Sequence, residues 1–161
     1  MNHAGEHGAI NIYSAQIAVA RLTAQSLVSE LREFRSHEER HREIFRAELV
    51  RRGRPRCRSY FLCGIGGYVL GLITGVMGRS AIAATTAAVE AVVLRHLQDQ
   101  LVVLRGNDPE AIAAISAIIS DEQQHHDRSV AHARAGGFWP KVITPVVAAS
   151  TEAVIWMGMR L

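Results

Sequence analysis

The sequence predicts an all-α protein, and three observations carry that prediction. Apolar residues recur at steps of three and four, the period of one helix face. Glycine and proline punctuate the chain so as to leave stretches of twenty residues or more, the length of long helices. No segment has the strict apolar and polar alternation of a half-buried strand. With 161 residues, 48% of them apolar, residues 1–161 are expected to form one domain with a substantial core.

Taken in order, the first helix is expected from Ala4 to about Leu31, because Glu6, Ile10, Tyr13, Ile17 and Ala20 share one face. A second runs from about Glu33 to Arg52, where Gly53 and Pro55 stop it. A third spans about Ser80 to Arg105. Gly106 then suits a C-terminal cap, Asp108 an N-cap and Pro109 the first helical position. The helix so started carries Ile112, Ile115 and Ile119 on one face and runs to about Arg134. After the breaker GGFWP, residues 141–160 form a last apolar helix.

Residues 59–78, SYFLCGIGGYVLGLITGVMG, carry no charge. By length they are a membrane-spanning candidate. Gly67, Gly71 and Gly75 repeat the small-xxx-small spacing that lets helix backbones approach closely. Each glycine weakens a helix in water by roughly 1 kcal/mol relative to alanine. The segment is therefore expected to interact with lipid or to pack tightly on its neighbours.

Charge and cysteine content narrow the function classes. The net charge of +3 is too small to argue for nucleic acid as a partner. Five arginines crowd into RRGRPRCR just before the apolar segment, which suits either an anionic membrane surface or a solvated turn. Cys57 and Cys63, six apart and alone, indicate neither a zinc ribbon nor a disulfide framework, so a reduced intracellular compartment is expected. The polar N-terminus lacks the apolar core of a signal peptide, and export is not expected.

Two segments read Glu-x-x-His: EERH gives Glu38 and His41, and EQQH gives Glu122 and His125. Residues three apart on a helix can present an oxygen and a nitrogen to one point. Glu6 precedes Glu38 by 32 residues, and Glu90 precedes Glu122 by the same 32. Two helical hairpins thus repeat one pattern, a lone Glu followed by Glu-x-x-His. Four-helix proteins that hold two iron or manganese ions use this donor set. Four carboxylates buried together would repel, and two divalent ions supply the matching charge. Glu90 is the most telling member, since no other charge lies between Ala81 and Leu94. His37 and His41 offer an alternative chelate at i, i+4, which leaves Glu90 and Glu122 unexplained. Asp127 is a candidate acceptor for the second ring N–H of a ligand histidine.

A span crossing the bilayer at 59–78 would put the two hairpins on opposite sides of about 30 Å of hydrocarbon. The two-metal reading therefore requires that segment to stay on one side, packed on the bundle or lying in the interface.

HAGEHGAINIY, the EERH pair, TTAAVEAVV, DEQQHHD and VIWMGMRL, in that order, resemble the signature segments of the demethoxyubiquinone hydroxylase family. The resemblance covers nearly the whole chain. It implies a ferritin-like four-helix bundle with a carboxylate-bridged di-iron centre, extended by apolar, membrane-associated helices. Glu6 and Glu90 would be terminal carboxylates, Glu38 and Glu122 bridging ones, and His41 and His125 the nitrogen ligands. It further implies ring hydroxylation of a polyprenyl quinone, with NADH as a reductant that is not tightly bound and two Fe ions as cofactor. Tyr60 to Met77, with the last helix, would form the substrate's entrance. The expected location is the cytoplasmic face of the cell membrane, peripherally bound, alone, as a homo-oligomer or with a partner of ubiquinone synthesis. The chain departs from the family pattern at His7, where a tyrosine is usual, and at Arg95, His96 and Leu97, where His-His-Tyr is usual. His7, Tyr13 and His96 join Asp127 as candidates near the metals or the substrate, and His3 is expected to be a surface or helix-entry residue. Another ferritin-like activity, iron oxidation or peroxide reduction, and a non-catalytic membrane-surface role are the alternatives.

Overall fold

The computed structural model describes residues 1–134 and 137–160, and every regular element among them is helical. Six α-helices follow in order: α1 (Asn2–Thr23), α2 (Val28–Arg51), α3 (Tyr60–Val76), α4 (Arg79–Leu104), α5 (Pro109–Arg134) and α6 (Phe138–Gly158). Helices α1, α2, α4 and α5 form a four-helix bundle, with α3 packed on α1 and α6 packed on α4.

The first helix is shorter than its apolar period implies. It ends at Thr23 rather than near Leu31, because Ala24 leaves helical geometry at φ −154° and ψ 51°. A 3-10 turn over Gln25–Leu27 follows, and α2 begins at Val28 rather than Glu33. Ala24 and Leu27 turn inward to join a core of Tyr13, Ile17, Ala20, Leu31, Phe34 and Ile82. Burial of these side chains fixes the bend in place of glycine or proline. The start of α5 follows its sequence signals: the Ala111 N–H donates to Asp108 Oδ1 at 3.0 Å, and Gly106 has φ +80°. GGFWP is not a breaker throughout. Phe138, Trp139 and Pro140 form the first turn of α6, where the missing proline N–H has no intrahelical partner to lose.

The uncharged segment forms a helix of 17 residues, roughly 25 Å long and short of the hydrocarbon thickness. It lies along α1 at very close range. A Cβ on Gly67 would collide with the Gly8 carbonyl oxygen, and one on Gly71 with the Ile12 carbonyl oxygen. The other side of α3 exposes Phe61, Leu62, Ile65, Val69, Ile73 and Val76. Among the described residues, α4 is the one helix long and apolar enough to cross a membrane, but 72% of that window is buried in the protein. Helices α3 and α6 both border one core cluster. Leu70 and Met77 pack with Ile143 and Val147, and the Cys57 thiol donates to the Gly158 carbonyl at 3.4 Å.

Candidate metal centre

Each bundle helix brings its acid to the same depth. On α2, Glu38 and His41 lie between two apolar turns anchored by Phe34 and Phe45, which belong to separate core clusters. On α5, Glu122 and His125 follow Ile115 and Ile118 of the Phe45 cluster. Apolar layers thus close the site along the bundle axis. Glu6, Glu38, His41, Glu90, Glu122 and His125 are all buried, with at most 5% of their surface exposed.

These six residues converge into two groups. Glu6, Glu38, His41 and Glu122 have donor atoms all within 4.8 Å of one another, and so do Glu38, Glu90, Glu122 and His125. Glu38 and Glu122 belong to both. The shared pair is what two adjacent cations bridged by carboxylates require.

The polar atoms inside the cluster are poorly satisfied by each other. His41 Nδ1 lies 2.9 Å from Glu122 Oε1, and His125 Nδ1 lies 3.2 Å from Glu38 Oε1. Yet both Nδ1 atoms, Glu38 Oε1 and both Glu122 oxygens lack an aligned hydrogen bond. Buried lone pairs aimed at common points without donors between them are costly, and a cation removes that cost. The donor set, carboxylate oxygen with imidazole nitrogen, suits a divalent first-row transition metal. The residues present therefore fit a pair of such ions.

The electrostatics agree. Burial raises the Glu6 and Glu90 carboxyls well above the ordinary range, and their negative neighbours Glu38 and Glu122 raise them further. Burial and Glu38 also raise Glu122. Glu38 alone is lowered, because the imidazoles of His125 and His41 outweigh its burial. Burial would lower His41, but the Glu122 and Glu38 carboxylates hold it up at about 10. Without cations, the chain offsets the charge of Glu38 by raising the proton affinity of Glu6, Glu90, Glu122 and His41.

Around this cluster the other sequence candidates separate. Tyr13 is buried, and its hydroxyl donates to Glu90 Oε1 at 2.8 Å. Asp127 is on the outside, bonded to Gln123 and His126 with its side chain 65% exposed, so it does not hold a ligand histidine. That role falls to Asp121, whose Oδ2 lies 3.1 Å from His41 Nε2 and is tied to Arg40. The corresponding neighbour of His125 is His37, with Nδ1 3.0 Å from His125 Nε2. His96 pairs with Glu152 on α6, away from the cluster. His7 stacks flat on Tyr60 of α3, with centroids 4.1 Å apart. His3 lies in the entry turn of α1, as one of its two expectations had it, and is buried there, stacked on Tyr60 as well.

Comparisons with known proteins complete the picture. Residues 1–158 match the family model described as ubiquinone biosynthesis protein COQ7. A Dictyostelium discoideum protein named NADPH-dependent 3-demethoxyubiquinone 3-hydroxylase, mitochondrial, is 31% identical over all of this chain and 75% of its own length. A Rhodospirillum rubrum protein named 3-demethoxyubiquinol 3-hydroxylase is also 31% identical, over all of this chain and 76% of its own. A human relative with the same name as the Dictyostelium protein is 29% identical over the same share of each. A ferritin-like helical bundle with a buried carboxylate and histidine cluster, matched from end to end by one family model, makes this chain a member of the COQ7 family.

Proposed function

We propose that this chain hydroxylates the ring of a polyprenylated, demethoxyubiquinone-type quinone at a di-iron centre. Glu6, Glu38, His41 and Glu122 hold one iron, and Glu38, Glu90, Glu122 and His125 the other. The observation that carries the reading is the sharing of Glu38 and Glu122 between two four-donor groups, in a family whose relatives bear the hydroxylase name.

When bound, the two irons supply the electrons that reduce dioxygen, so that one oxygen atom enters the ring and the other leaves as water. The protein's part is geometric and electrostatic. Tyr13 fixes the rotamer of Glu90 by donating to it. Phe34, whose ring lies 4.2 Å from that of His125, and the Phe45 layer keep bulk water out. The exposed apolar side chains of α3 and α6, Phe61, Ile65, Val146 and Trp156 among them, suit a membrane surface in which the substrate's tail is dissolved. Arg54, Arg56 and Arg58 beside α3 suit anionic headgroups. Electrons come from a pyridine nucleotide that binds transiently. The relatives' names favour NADPH over the NADH expected from the sequence resemblance.

The test is direct. Protein loaded anaerobically with Fe(II) should hold two irons per chain and, given a demethoxyquinone, air labelled as ¹⁸O₂ and either NADH or NADPH, should form a product carrying one labelled oxygen. Iron without hydroxylated product would sink the substrate assignment, and absence of iron would sink the centre itself.

A further inference from the structure

The two metal positions use matching donors, but the residues behind those donors do not match. The ligand pairs Glu6 and Glu90, Glu38 and Glu122, and His41 and His125 are each 84 positions apart. The same offset therefore tells which residues occupy equivalent places outside the cluster. Tyr13 is followed 84 positions later by Leu97, also buried, which has no group to donate. His37 is followed by Asp121.

The two differences act on different ligands. At the Glu90 and His125 position, the Tyr13 hydroxyl holds Glu90 through a 2.8 Å hydrogen bond. His125, with Nδ1 turned into the cluster, directs its Nε2 at the His37 imidazole, 3.0 Å away, and that ring lies 3.8 Å from Asp121 Oδ2. At the Glu6 and His41 position there is no tyrosine at the equivalent place. His41, likewise with Nδ1 inward, directs its Nε2 at the Asp121 carboxylate, 3.1 Å away. A carboxylate bonded directly to an imidazole raises its basicity as a ligand, whereas Asp121 reaches His125 only through the ring of His37.

Building on the dinuclear reading above, we propose that the two positions are unequal: the one held by Glu6 and His41 binds metal more tightly and fills first, and the one held by Glu90 and His125 fills second. Asp121 and His37 are positioning residues that set this order, acting through the ligand histidines they touch. Removal of such an outer partner changes metal affinity by about 10- to 100-fold, so the two steps should differ by at least about tenfold.

Anaerobic titration of metal-free protein with Co(II), followed by absorption and by electron paramagnetic resonance, reads the order. The first equivalent should give the signal of an isolated Co(II). The second should diminish that signal, as two ions joined by Glu38 and Glu122 couple magnetically. Asp121→Asn should weaken the first step about tenfold and the second much less, and Tyr13→Phe, which frees Glu90, should weaken the second step and leave the first unchanged. His37→Gln, which is close to solvent, serves as a check should Asp121→Asn fold poorly, and should move only the second step. A merely structural role would shift both steps together. Two equivalents bound with no isolated-ion stage, or variants that move both steps equally, would overturn the inequality while leaving the dinuclear centre standing. Fewer than two Co(II) per chain at saturation would overturn both.

Discussion

The first three helices and the last three are two versions of one plan. In each, a helix with a lone ligand-type Glu pairs with a helix bearing Glu-x-x-His, and a third, apolar helix packs on the first. They solve the packing of that third helix differently. α3 reaches α1 through glycines, and the crevice beside them is filled by His3 and His7 stacked on Tyr60, with Arg56 over the same ring. At the equivalent places α4 and α6 carry Ala87, Ala91 and Thr144, which line an open groove of about 350 Å³. The donor residues are repeated while their surroundings diverge. What is constrained is the cluster, and the shell around it is free to differ between the halves.

The largest effect should come from breaking what the halves share. Glu38→Ala or Glu122→Ala removes a donor from both groups, so iron content should fall below one per chain and product should drop to background in a quinone hydroxylation assay. Glu6→Ala or Glu90→Ala touches one group each and should leave about one metal per chain, measured by metal analysis. Equal metal loss in all four variants would contradict the shared geometry.

A smaller effect separates the two outer helices. Gly67→Ala should push α3 off the Gly8 carbonyl and destabilise the protein by about 1–3 kcal/mol. Thr151→Ala, 84 positions later on α6, should change stability by no more than about 0.5 kcal/mol. Denaturant melts of the two variants compare the halves directly.

The smallest effect is a pH dependence. In metal-free protein, Glu6, Glu90 and Glu122 keep their protons to higher pH when folded than when unfolded. The folded state then binds more protons, so their contribution is present below the ordinary value of 4.5 and is lost as pH rises above it. His41 has the same sign, with a contribution complete below 6.5 and lost as pH rises through about 10. Glu38 works the other way, but only as pH falls below 4.5. Metal binding needs the charged carboxylates, so its stabilisation grows with pH. The melting-temperature gap between metal-loaded and metal-free protein should therefore widen between about pH 5 and pH 8. A constant gap would mean that these carboxyls are not in contact with the metal.

How much of this was legible in the sequence depends on the residue. The six residues that converge in the cluster could be found because their spacing repeats and because a lone acid such as Glu90 stands out in an apolar helix. Asp127 was a misreading that helical geometry could have prevented, since two residues past His125 is about 200° round the axis and faces away. Asp121 and His37 sit among other polar residues in DEQQHHD and SHEERHRE, and only the packing of α2 against α5 brings them to the ligand rings. The end of α1 at Thr23 was hidden for a different reason. Burial of Ala24 and Leu27 makes that bend, and neither residue is a local turn signal. His3 was likewise unreadable, because its burial depends on Tyr60 arriving from another helix.

Neither half of the molecule holds four donors of either group on its own. The first lacks Glu122 for its position, and the second lacks Glu38 for its own. A nascent or nicked chain with only α1 to α3 folded has a three-donor site whose fourth corner is missing, and the same is true of α4 to α6. On the proposed dinuclear reading, metal capture would be tied to the docking of the two halves, and the ions would act as clasps that close only on a fully assembled chain. Two fragments divided at Gly78 would be expected to recombine more strongly in the presence of a divalent metal than in its absence, with the centre serving as the glue of a split protein.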